Sequence, residues 1–158
     1  MADPVKEPAI YPFTAFNFSV EINKSGDKDI LCAAAFSECD GLEITMDVKT
    51  IREGGNNGKQ IRFSGAFNYG QVTLKRGMTA NFDLWNWVNE TLINPSLRAD
   101  AQIVLLGADR KTERAGFVLS RCLPTKLKAP ALNAKDGMVA IEELQLTYES
   151  LSLNKPPK

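Results

Sequence analysis

LEITMDVKTIREGGNNGKQIRFSGAFNYGQVTLKRGMT, Leu42 to Thr79, alternates apolar and polar residues on both sides of a glycine-rich tip. Leu42, Ile44, Met46 and Val48 take one face and Glu43, Thr45, Asp47 and Lys49 the other, the period of two required of a strand wet on one side. Ile61 and Phe63 against Gln60, Arg62 and Ser64 continue the pattern, as do Val72 and Leu74 against Gln71, Thr73 and Lys75. On this reading Ile44, Met46, Ile61 and Phe63 belong to the core. The tip, Glu53 to Lys59, is built from turn-forming residues. Ordering such a tip costs about 1 to 2 kcal/mol per residue and needs a partner to offset it.

Outward from this stretch the period of two persists. Phe16, Phe18, Val20 and Ile22 mark an earlier strand, and CAAAFSEC (Cys32 to Cys39) reads as a strand of small apolar residues. QIVLLGAD and RAGFVLSRC read as strands joined by a polar turn at Asp109 to Glu113. MVAIEELQLTYESLSL, Met138 to Leu153, changes phase at Glu142-Glu143 and again near Ser150, as a bulged strand or one passing between sheets does. One segment breaks the period. NFDLWNWVNETLINP offers Asn81 as N-cap, Asp83 in the first turn, Leu84, Trp85, Val88 and Leu92 along one arc, and Asn94-Pro95 as a stop. Trp87 lies at the edge of that arc, where it either widens the core stripe or stays half exposed. The fold class is therefore mainly β with one flanking α-helix. The chain divides into an extended N-terminal arm (1–15), a single domain (16–153) and a tail (154–158).

The totals bound the chemistry. A chain of 158 residues suits one core. Its 19 Lys and Arg balance 19 Asp and Glu, which gives no general attraction to nucleic acid or anionic lipid. There is no histidine, so the usual general base and every Ser-His-Asp or Cys-His arrangement are missing. Three cysteines without a C-x-x-C pair indicate reduced, buried thiols. The glycines and Lys59 of the tip suggest a phosphate cradle, but Gln60 stands where a hydroxyl is needed and a strand follows where a helix is required. The expectation is no catalytic, cofactor-binding or metal-binding residue and no enzyme. No apolar run reaches signal-peptide or membrane-span length, so the chain is expected to be made in a cytoplasm without a signal peptide and without a membrane span.

FNFSVEI, AAFSECDGLEITMDVKTIREGGNNGKQIRFSGAFNYGQVTLKRGMT, FDLWNWV and ALNAKDGMVAIEELQLTYESL together resemble the tail tube proteins of contractile-tailed bacteriophages and the inner tube proteins of phage-derived contractile injection systems. The resemblance spans Phe16 to Leu153 and is most specific at Gly41-Leu42, Arg52-Glu53-Gly54-Gly55, Leu74-Lys75-Arg76-Gly77 and Asp83-Leu84-Trp85. It implies a small β-barrel or sandwich subunit that forms hexameric rings stacked into a tube. Implied partners are further copies of the chain, a contractile sheath protein, baseplate or tube initiator and terminator proteins, and effector cargo or DNA in the lumen. The implied setting is a phage tail or an extracellular phage tail-like particle.

In such an assembly Arg52, Glu53, Gly54, Gly55, Asn56, Asn57, Gly58 and Lys59 become contacts between subunits or rings. Glu43, Thr45, Asp47, Lys49, Gln60, Arg62 and Ser64 face the lumen. A tube initiator or terminator, the secreted ring protein of type six secretion, and a monomeric β-barrel binding module are the competing readings. Size separates the last from the rest, since a binding module runs as a single 17.4 kDa species.

Overall fold

The computed structural model describes residues 13–55 and 58–155. In chain order its elements are β1 (Phe18–Lys24), β2 (Ile30–Ala34), β3 (Glu38–Asp40), β4 (Ile44–Arg52), β5 (Gln60–Tyr69), β6 (Gln71–Gly77), α1 (Asp83–Ile93), β7 (Ala99–Leu106), β8 (Glu113–Lys128), β9 (Ile141–Thr147) and β10 (Ser150–Asn154). CAAAFSEC thus splits into the end of β2 and the start of β3, with Ala35 to Ser37 turning between them.

Two antiparallel layers share one long strand. The first half of β8 pairs β7 on one side and β10 on the other, and β7 continues to β1 and β2. The second half of β8 pairs β9, which continues to β6 and β3. The handover comes where Arg121 adopts φ 54 and the register shifts between Pro124 and Lys126. On the partner side, β9 leaves one layer and β10 enters the other through Tyr148 and Glu149, as the break near Ser150 anticipates. The core between the layers holds Val20, Ile22, Val72, Leu74, Ala101, Leu119, Leu144 and Leu146, the in-facing positions of alternating strands. Cys32 and Cys122 are buried and Cys39 half-buried, all three as free thiols.

The second phase break has another cause. Glu142 is buried on the same face as Leu144 and Leu146, while Ile141 is the exposed neighbour. The alternation is intact there, with a carboxylate in a core position. It is directly opposite Arg76, equally buried, and the two form an ion pair. Trp85 Nε1 donates to the other Glu142 oxygen at 3.0 Å, and Arg76 donates to the Asn81 carbonyl at 3.0 Å. The pair therefore ties α1 to the second layer.

The helix departs from its sequence reading at its cap and in its last turn. Phe82, not Asn81, is the N-cap, although the Asn81 Oδ1 accepts from the Asp83 N–H at 3.0 Å, one residue outside the usual capping position. Trp87 is 1 % exposed and widens the core stripe, whereas Leu92 is 75 % exposed and the neighbouring Ile93 86 %, so the last turn leaves the core. The β7–β8 turn is held by Asp109, whose carboxylate accepts from the Thr112 hydroxyl and from the Thr112 and Lys111 N–H groups. These bonds, the Thr112 hydroxyl first, lower its pKa from 3.8 to about 2. A depressed carboxylate stabilises above its unfolded pKa, so this turn loosens only as pH falls from 3.8 towards about 2.

Candidate assembly surface

Among the described residues β4 and β5 pair with each other and with no other strand. They are the outer half of one long hairpin whose inner half, β3 and β6, is part of the second layer. β5 runs into β6 through Gly70 alone, so the outer half projects from the sandwich instead of folding over it.

The base of the projection is clamped. The Tyr148 hydroxyl accepts from the Glu43 N–H at 3.1 Å and donates to the Gly41 carbonyl at 3.0 Å, and its ring meets Tyr69 at 5.7 Å. Gly41 has φ +98, and a Cβ there would lie 1.9 Å from the Gln71 carbonyl oxygen. Gly41→Ala must therefore part the two strands and carry left-handed strain of about 1 to 3 kcal/mol besides. We expect a lower urea midpoint with the projecting half released first, measurable by denaturation and by hydrogen exchange along β4 and β5.

The projecting half has an extra residue in β5. Met46 pairs Phe67 but Val48 pairs Ser64, so Asp47 stands opposite both Gly65 and Ala66. A Cβ on Gly65 would sit 2.3 Å from the Asp47 carbonyl oxygen, so glycine is required at the bulge.

This bulge corrects two expectations. Directly paired residues share a face, so one face holds Ile44, Met46, Val48 and Phe67 near the base and Thr50, Arg52, Gln60, Arg62 and Ser64 towards the tip. The other holds Thr45, Asp47 and Asn68 near the base, then Lys49, and Ile51, Ile61 and Phe63 towards the tip. Thr45, Asp47 and Lys49 are therefore not on the face of Gln60, Arg62 and Ser64, and Glu43 lies before β4 begins. Nor do Ile44, Met46, Ile61 and Phe63 fill the core. The apolar side chains of the projection run from 36 % exposed at Ile61 to 62 % at Phe67, with Ile44 at 50 %. The stripe crosses from one face to the other, and both halves are bare because no other strand among the described residues pairs with the hairpin there.

At the tip Arg52, Glu53, Gly54, Gly55, Gly58 and Lys59 surround an open polar hollow together with Gln60 and Arg62. Asn56 and Asn57 lie outside the described residues. Gly55 turns with φ +95, and the tip has three cations, Arg52, Lys59 and Arg62, against the single carboxylate of Glu53. Among the described residues none of these charges is in an ion pair, and no group of three or more acidic or cysteine side chains is placed to hold a metal ion. No helix among them is long and apolar enough to cross a membrane.

Solved structures share this architecture. A chain of the six-fold symmetrised baseplate of the anti-feeding prophage is similar with a TM-score of 0.82 at 24 % identity, over 92 % of this chain and 97 % of that one. A chain of the sheath–tube complex of the extracellular contractile injection system PVC, in its extended state, gives 0.79 at 23 % identity, over 94 % and 95 %. A chain of the PVC sheath/tube terminator gives 0.80 at 22 % identity, over 93 % and 99 %. At these identities the likeness is one of fold. A search of curated proteins finds no match. The family model of the T4-like virus tail tube protein gp19 matches residues 14–152, nearly the whole described sandwich with its projecting hairpin, and the chain belongs to that family.

Proposed function

We propose that the chain is the inner tube subunit of a contractile injection system or contractile phage tail. Six copies close a ring, rings stack into a hollow conduit, and a surrounding sheath drives that conduit through a target envelope. The observation that carries this reading is the projecting hairpin, whose large apolar side chains are left uncovered by the described residues of a single chain. Burying each such side chain contributes about 1.5 to 3 kcal/mol, and soluble monomers rarely leave so continuous an apolar surface open. Family membership supports a structural rather than a catalytic role.

The partners proposed are further copies, a sheath protein, a baseplate or initiator protein at one end, a terminator at the other, and cargo or DNA inside. Similarity to chains from baseplate, sheath–tube and terminator assemblies supports that set. The particle is assembled in a bacterial cytoplasm and works as a phage tail or an extracellular tail-like particle. The terminator fold matches as well as the sheath–tube one, which favours a tube-end role as the second reading. Negative-stain electron microscopy with six-fold averaging decides between them. Long uniform tubes support the main tube, isolated rings the tube-end role, and a 17.4 kDa species at every concentration overturns both.

Within the tube, Arg52, Glu53, Gly54, Gly55, Gly58 and Lys59 make contacts between subunits or rings. Trypsin should cut after Arg52 and Lys59 at least about ten times faster in dispersed subunits than in tubes, because ordering this tip needs a partner. Equal rates would remove the contact. Since the bulge divides the polar residues, the wet channel wall is assigned to the base of the polar face, Thr45 and Asp47. Asp47→Arg should leave the melting curve within about 0.5 kcal/mol of wild type, the usual range for a surface change. Tube assembly should persist while the charge of the channel, read by retention of charged cargo, reverses.

A further inference from the structure

The apolar core does not close beside β3. Between β3 and the strands β1, β7 and β8 lies a groove of about 430 Å³. Phe18, Leu42, Leu105 and Phe117 line it and are only half-buried there. Its charged lining is Glu38 and Asp40; Lys75 on the neighbouring strand pairs Glu38 at 3.2 Å, which leaves Asp40 as the carboxylate outside an ion pair among the described residues. β3 itself is three residues long, and among the described residues one of its edges is unpaired.

The tip half of the hairpin is the counterpart of this groove. Ile51, Ile61 and Phe63 share one face and are all exposed. Lys49 lies on that face, and Arg52 and Lys59 border it at the end of the strands. An apolar cleft with carboxylates thus has, on the same chain, an apolar ridge edged with cations. The ridge and the cleft do not meet within one chain, because β4 and β5 project away from the layer that contains β3.

We propose that the Ile51, Ile61 and Phe63 face of one copy seats in the β3 groove of a second copy. It completes the open end of that copy's core, and Lys49, Arg52 and Lys59 lie near Glu38 and Asp40. The contact is heterologous, ridge to groove, so every copy keeps one free ridge and one free groove and the association propagates until a ring closes or a fibre grows. The inference rests on the tube-assembly reading and names the surface that receives the hairpin.

Cys39 lines the groove and is a built-in reporter. Burial, and secondarily Asp40, raise its pKa to about 11, so oxidative cross-linking is best run at alkaline pH. Ile51→Cys, Ile61→Cys and Phe63→Cys are made singly, assembled, and oxidised with copper phenanthroline in air. At least one should give disulfide-linked oligomers that fall at least tenfold in a Cys39→Ala background. Arg62→Cys, on the opposite face, should link at less than a tenth of that yield.

Assembled protein in which none of the three links, or in which linking ignores Cys39→Ala, overturns the proposal while leaving the tube reading standing. Wild-type protein that never assembles overturns the tube reading itself. As a test that adds no thiol, Glu38→Gln with Asp40→Asn, which keep an oxygen acceptor for Lys75 and for the Gly41 N–H, should raise the concentration needed for assembly at least tenfold with a melting curve little changed. An unchanged assembly threshold counts against the proposal. So does a groove occupied by the chain's own residues 1–12, seen as Cys39 in dispersed subunits becoming open to a thiol reagent only when those residues are deleted.

Discussion

Glu142→Gln should lower the melting temperature of the dispersed subunit by roughly 10 °C, which follows from a loss of about 3 to 5 kcal/mol in a domain of this size. Both partners of the pair are almost wholly buried. The Arg76 guanidinium also donates to the Asn81 carbonyl and lies 5.8 Å from the Phe36 ring centroid. It cannot follow water out of the core without dismantling the start of the helix. Removing the carboxylate charge strands that cation in a medium of low dielectric, and glutamine, of the same size, has one oxygen for the two donors Arg76 and Trp85, so the loss reports the charge and one hydrogen bond rather than the packing. The double variant Arg76→Met with Glu142→Leu removes both charges and should recover most of the lost stability, since well-packed apolar replacements of buried pairs are often neutral or better. A Glu142→Gln melting point within about 2 °C of wild type would show that the pair contributes little, since such a shift corresponds to under about 1 kcal/mol.

That pair also marks where a linear reading fails. Period-two alternation correctly located most strands, and the break near Ser150 marked the passage of the chain from one layer to the other. The apparent slip at Glu142 was of a different kind. A charge at a core position looks like a change of phase when its partner is 66 residues away on another strand.

The hairpin misled in the opposite sense. Ile61, Phe63, Phe67 and Tyr69 keep one parity along the chain, yet Gly65 and Ala66 share a single partner and move Phe67 and Tyr69 to the other face. Two signals for this were present. A glycine stands inside an otherwise good strand, and in β4 the apolar residues step from Val48 to Ile51, an odd interval. The clamp by Tyr148 and the groove beside β3 join segments over 100 residues apart or on different layers, and local pattern contains neither.

The correction at Ile44 reverses the expected behaviour of one substitution. Were Ile44 a core residue, an aspartate there would leave an unpaired buried carboxylate, costing several kcal/mol and preventing folding. At 50 % exposure on a strand pair that pairs with no other described strand, the same aspartate meets water in the dispersed subunit. The Ile44→Asp melting curve should therefore stay within about 1 kcal/mol of wild type, near the range of ordinary surface changes. Assembly is where the cost falls. If the face of Ile44, Met46, Val48 and Phe67 is covered by a neighbouring copy, each contact loses about 1.5 to 3 kcal/mol of apolar burial and must also strip water from a carboxylate. A loss of about 2.8 kcal/mol per contact is already a hundredfold in affinity, and a closed ring repeats it at every interface. Ile44→Asp should then yield folded, soluble subunits whose assembly threshold rises at least about a hundredfold, read by sedimentation and electron microscopy. Tubes at the wild-type threshold would mean that this face stays wet in the polymer. In that case the cohesion of the tube has to come from the Ile51, Ile61 and Phe63 side of the hairpin alone.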